Sequence, residues 1–135
     1  MPLDPRELGL PHREPFIFVD EVTELQPGEH AVGRKMFPPE EPFFRGHFPG
    51  DPLVPGVILT EALAQLAGIA AGQPGRSFRL TAIKGMKFLA PVRPAEVVTL
   101  SAQKLGAVGG LWQFSVRAVV GEITVAEGAV VLSEG

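Results

Sequence analysis

Residues 57–71 read VILTEALAQLAGIAA, and this stretch decides the fold. Pro55-Gly56 in front of it, and Gly72 followed by Pro74 behind it, are start and stop signals, so the pattern predicts one helix over Val57–Ala71. Its apolar residues lie nearly all round, which marks a helix enclosed by protein and not one resting on a surface. At about 1.5 Å per residue it would run roughly 22 Å, short of a membrane span, and Thr60, Glu61 and Gln65 interrupt the apolar run.

The wrapping must come from strands. Phe16–Leu25, rich in β-branched and aromatic residues, ends at the turn signal Gln26-Pro27-Gly28, and Glu29–Phe37 is a second strand that would close a hairpin. Residues 38–56 hold six Pro and three Gly; proline fixes φ and lacks a donor, so this segment should be a stiff ordered loop with no helix in it. Phe43, Phe44, Phe48, Leu53 and Val54 would anchor it. After Gln73-Pro74-Gly75 come Phe78–Leu89, Glu96–Leu105, Leu111–Val120 and Glu122–Leu132. Val98, Leu100 and Ala102 alternate on one face, as do Trp112, Phe114, Val116 and Ala118, and Gly109-Gly110 and Gly121-Glu122 are hairpin turns, so the last three strands should form an antiparallel meander. The class is α+β: an antiparallel sheet of about six strands wrapped around one central apolar helix, in a single domain over residues 1–135. One helix leaves sheet edges uncovered, and pairing between two chains is a common remedy, so a homodimer is expected.

Composition removes several functions. A net charge of −3 argues against nucleic acid as the main partner. Without cysteine there is no disulfide, no thiolate catalysis and no Cys-ligated metal. The N-terminus lacks a basic segment followed by an apolar one, so a cytoplasmic location without membrane insertion is expected. His12, His30 and His47 show no zinc-binding spacing. His12 and His30 lie in undistinguished contexts, and GAVGG at 106–110 is a turn and not a dinucleotide loop.

Chemistry concentrates in GHFPGDPLVPGVILTE, residues 46–61. His47, framed by Gly46 and Phe48-Pro49-Gly50, is a base near neutral pH on an unusual turn. Glu61 is an acid where the pattern wants none; Val57, Ile58, Ala64 and Gln65 are its neighbours along the helix, so no cation shares its face, and apolar burial would favour its protonated form. Gln65, one turn on, can hydrogen-bond and orient the carboxyl. Gly56 and Val57 open the helix, where free N–H groups and the positive dipole end suit a carbonyl oxygen gaining charge. Ala62 to Ala95 contains no acidic residue, and Arg76, Arg79, Lys84, Lys87 and Arg93 form a basic patch suited to an acidic or phosphorylated partner.

LPHREPFIFVDEV (10–22), EPFFRGHFPGDPLVPGVILTEALAQLAG (41–68) and KFLAPVRPAE (87–96) resemble the β-hydroxyacyl-[acyl-carrier-protein] dehydratases of bacterial fatty-acid synthesis. The resemblance implies a hotdog fold and an obligate dimer with sites at the interface, each built from the histidine of one chain and the acid of the other; these fall on His47 and Glu61. It implies a helix-start glycine that polarises the thioester carbonyl, at Gly56, a glutamine after the acid, at Gln65, and a loop carbonyl that orients the histidine, at Leu53. It implies elimination of water from a 3-hydroxyacyl thioester to the trans-2-enoyl thioester, no cofactor, and an acyl carrier protein whose phosphopantetheine arm meets the basic patch. Glu14, Arg45 and Ala95 depart from the family pattern. A hotdog thioesterase and a non-catalytic acyl-binding subunit are the rival readings. Chain-length preference, an isomerase side activity and assembly into a trimer of dimers are left open.

Overall fold

The computed structural model describes residues 2–72 and 76–135. The expected turn at Gln73-Pro74-Gly75 lies outside the described residues. The helix, α1, spans Gly56–Ala71, one residue earlier than predicted, with Pro55 at its cap. Ala62, Leu63, Leu66, Ala67, Ala70 and Ala71 are fully buried. Past the first turn, where Gly56, Val57 and Ile58 are open, only Glu61 and Gly68 are less than buried, two turns apart on one face.

Six strands wrap α1: β1 (Glu21–Gln26), β2 (His30–Met36), β3 (Phe78–Phe88), β4 (Val97–Val108), β5 (Leu111–Val120) and β6 (Ile123–Glu134). They form one antiparallel sheet in the order β1-β2-β4-β5-β6-β3. This is the hotdog arrangement, with the helix enclosed by the curved sheet. β4, β5 and β6 make the expected meander, and Val98, Leu100, Ala102, Phe114, Val116 and Ala118 all point at the helix and are buried. Gly109 and Gly110 both have positive φ, 58° and 81°, as a two-residue hairpin turn with right-handed twist requires. The β1–β2 turn is tied to the helix end, where Gly28 N–H donates to Ala70 O at 2.8 Å.

Three expectations change. The strand predicted over Phe16–Leu25 begins only at Glu21. Ile17, Phe18 and Val19 are buried, but at Phe16 and Phe18 the backbone bonds a side chain of α1: Phe18 N–H donates to Gln65 Oε1 at 2.9 Å, and Gln65 Nε2 donates to Phe16 O at 3.0 Å. A helix side chain here does the work of a neighbouring strand. The proline-rich loop does contain a helical turn, a 3₁₀ turn at Pro42–Arg45, with proline at the first position where its missing donor costs nothing. β4 runs three residues past its predicted end, because Gly106, Ala107 and Val108 pair with Gln113, Trp112 and Leu111.

β3 is a sheet edge, and it is the exposed strand of the molecule. Leu80, Ile83 and Phe88 all face solvent, Ile83 with 52% of its surface open. Its pairing with β6 shifts between Lys84 and Lys87, where Gly85 takes φ 58°. The bulge presses Met86 onto β6: a Cβ at Gly128 would sit 2.8 Å from Met86 Cα, so only glycine fits there. Among the described residues no helix is long and apolar enough to cross a membrane.

Candidate active site

His47 belongs to the loop between the 3₁₀ turn and α1, and main-chain bonds hold it on three sides. Its N–H donates to Phe43 O at 2.9 Å, its carbonyl accepts from Leu53 N–H at 3.4 Å, and its Nδ1 lies 3.0 Å from Leu53 O. A carbonyl can only accept, so Nδ1 carries the ring proton and Nε2 keeps its lone pair. The next residue, Phe48, takes φ 66°, a left-handed conformation costly for an aromatic residue, and Gly50 takes φ 87°. Such strain persists only where the surroundings enforce it. Here Asp51 N–H bonds back to Phe48 O, Asp51 forms an ion pair with Arg93, and Val54 N–H donates to Val92 O at 2.8 Å. His47, Leu53, Val54, Gly56 and Leu59 line a pocket of about 380 Å³ with Phe88 through Val92. Gly56 opens α1 beside the imidazole, and its N–H and that of Val57 have no intrahelical acceptor. The Val57 side chain points outward, 75% exposed. The Phe88 ring lies over Gly56, 3.0 Å from where a Cβ would stand.

Glu61 lines a different pocket, of about 240 Å³, with His12, Phe16, Gln65, Gly68, Phe78, Arg79 and Leu80. Within one chain, therefore, His47 and Glu61 do not share a chamber. The surroundings of the carboxyl are less apolar than the helix pattern implied. Gln65 Nε2 donates to Glu61 Oε2 at 3.0 Å, and His12 Nε2 stands 3.4 Å from the same oxygen. Gln65 thus orients Glu61 while pinning Phe16 and Phe18. His12 was passed over although it stands in the 10–22 block that carries the family resemblance, because it reaches Glu61 across the fold and no spacing ties it to the helix.

The basic patch is only partly free. Arg76 pairs with Glu134 at 3.2 Å and Arg93 with Asp51. Arg79 lines the Glu61 pocket, and Lys84 lies beside the β4–β5 hairpin with Leu105 and Val108. Among the described residues Arg79, Lys84 and Lys87 form no ion pair within 4.0 Å. Glu14 and Arg45 are exposed and away from both pockets. No cluster of metal-ligating side chains exists among the described residues.

A hotdog sheet around a helix that carries a carboxyl, with a main-chain-anchored imidazole at the helix start, defines a hotdog protein whose carboxyl and imidazole line separate pockets. A family profile described as FabA-like domain matches residues 10–129, and the chain belongs to that family. It is 45% identical over 129 residues to the 3-hydroxyacyl-[acyl-carrier-protein] dehydratase FabZ of Ruminiclostridium cellulolyticum, covering 93% of this chain and 90% of that one. Among solved structures, the dehydratase heterocomplex ApeI:P from Xenorhabdus doucetiae superposes with a TM-score of 0.81 at 13% identity, over 98% of this chain and 91% of that one. The fluoroacetyl-CoA thioesterase FlK superposes at 0.67 with 20% identity, over 83% and 89%. Both structures share the fold.

Proposed function

We infer that the chain is a 3-hydroxyacyl-[acyl-carrier-protein] dehydratase of fatty-acid synthesis, releasing water to leave the trans-2-enoyl thioester, with residues 1–135 acting as one catalytic unit. The carrying observation is the Nδ1–H to Leu53 O bond, which leaves His47 Nε2 as a free base beside the N–H groups of Gly56 and Val57. Loss of the α-proton builds charge on the thioester oxygen. Those N–H groups and the dipole of α1 would stabilise it, without any cofactor. His47 Nε2 takes the α-proton, the Cα–Cβ double bond forms as the C–O bond breaks, and Glu61 protonates the departing hydroxyl to water. The acid then recovers the proton held by the histidine, so the cycle is proton-neutral.

The chemistry needs both half-sites in one chamber, and β3 supports a way to join them. The Glu61 pocket opens at the first residues of β3, Phe78 to Leu80, and the His47 pocket at its last, Phe88 and beyond. An antiparallel pairing of two β3 edges centred on Ile83 sets the start of one strand against the end of the other. It would bring Glu61 of one copy toward His47 of a second, and cover Leu80, Ile83 and Phe88. We propose this homodimer as the working unit, able to assemble further as a trimer of dimers. Arg79, Lys84 and Lys87 are the proposed landing for the acidic carrier protein, with Arg76 and Arg93 at its margin.

Purified protein should hydrate enoyl thioesters on carrier protein, read as loss of enoyl absorbance. His47→Ala and Glu61→Gln should each lower kcat by about 10²–10⁴-fold with the melting temperature retained. A near-normal rate from either variant refutes the assignment. Release of free thiol in place of enoyl interconversion would make the chain a thioesterase instead.

A further inference from the structure

His12 is the polar group the dehydration reading leaves unused, and two observations set it apart. Its Nε2 lies 3.4 Å from Glu61 Oε2, and its Nδ1 is buried with no hydrogen-bond partner among the described residues. A proton on Nδ1 would be a buried donor without an acceptor, the more costly orphan; an unpaired lone pair there is tolerated better. The ring proton is therefore placed on Nε2, the nitrogen nearer Glu61 Oε2. Phe16 stacks on it with centroids 6.2 Å apart and fixes its plane. The Gln65 amide donates to Glu61 Oε2, and the His12 Nε2 stands within 3.4 Å of that same oxygen. An oxygen facing two donors has no room for a proton of its own.

We propose that His12 is a positioning residue for Glu61: its Nε2–H, with the Gln65 amide, reserves Oε2 as acceptor, so that Oε1 carries the proton given to the departing hydroxyl. The inference rests on the dehydratase reading and deepens it. The 3.4 Å separation suits a contact that shortens as Oε1 gives up its proton and Oε2 gains charge, since catalytic hydrogen bonds tighten along the reaction. Other charged or titratable groups near Glu61 are few. Arg79 lines the same pocket from β3, while Arg13 turns its guanidinium to the carbonyls of Leu10 and His12. In the dimer, His47 of the second copy joins them.

The test uses His12→Phe, which keeps the ring on Phe16 and removes the donor, and His12→Gln, whose amide restores a donor near Nε2. His12→Leu replaces the first if its melting is not cooperative. Loss of the donor should lower kcat about 10-fold or more while KM moves less than about 2-fold. His12→Gln should recover most of the lost kcat, and His12→Phe should cost nothing further in a Glu61→Gln background. An unchanged kcat in His12→Phe overturns the proposal. So does an equal loss in the Glu61→Gln background, or a loss that follows only a lower melting temperature. A dehydratase reading that fails shows itself separately, as full turnover by Glu61→Gln alone, and the His12 role then falls with it.

Discussion

Gln65 uses every polar atom it has: Oε1 accepts from Phe18 N–H, and Nε2 donates to Phe16 O and to Glu61 Oε2. Gln65→Leu would keep the volume and orphan two main-chain groups in the core. Stability should fall by about 1–3 kcal/mol, read from urea unfolding, and turnover should fall as well because Glu61 loses a support. A variant with lower stability but normal kcat would separate the two duties. At this scale the site was legible where it is local. Glu61 and Gln65 stand one turn apart on a helix, and His47 sits in a Gly-Pro frame, so spacing alone brings them forward. The links from residue 65 to 16 and 18, and from 61 to 12, are long-range, and no periodicity encodes them.

The elements were legible where one period rules. α1 was readable because capping signals enclose an apolar run, and β4 and β5 because inward residues alternate. The segment 16–20 has strand composition and no strand, since Gln65 supplies the hydrogen bonds a neighbour would have given. Composition reports burial; only the fold decides which partner satisfies the backbone. Leu66, fully buried on α1 against the sheet, is a packing test: Leu66→Ala should cost about 2–5 kcal/mol by denaturant titration. Gly128→Ala should cost about 1–3 kcal/mol by driving a methyl into the Met86 backbone, and hydrogen exchange should show the opening confined to β3 and β6.

For the whole molecule, the division of His47 and Glu61 between two pockets predicts complementation. Mixed dimers of His47→Ala and Glu61→Gln chains hold one intact pair and one doubly defective pair, so co-refolding two inactive proteins should restore about a quarter of wild-type activity. Independent sites within each chain would leave the mixture dead. Ile83→Lys should place charge at the centre of the proposed β3 seam, and sedimentation should then report a smaller species with little turnover. Reversing charge at Lys84 and Lys87 should slow carrier-protein substrates more than coenzyme A ones. The hotdog architecture could be anticipated, because an enclosed helix leaves a sheet few ways to close. The half-sites could not be located so, since α1 alone does not say which way the sheet's edge faces. The anchor of His47 is the Leu53 carbonyl, an atom every amino acid possesses. No single codon encodes it, and no missense change at position 53 can delete it. Evolution is free to reshape the Leu53 side chain while the imidazole stays aimed, so long as Pro49, Pro52 and Pro55 keep the polypeptide on its course.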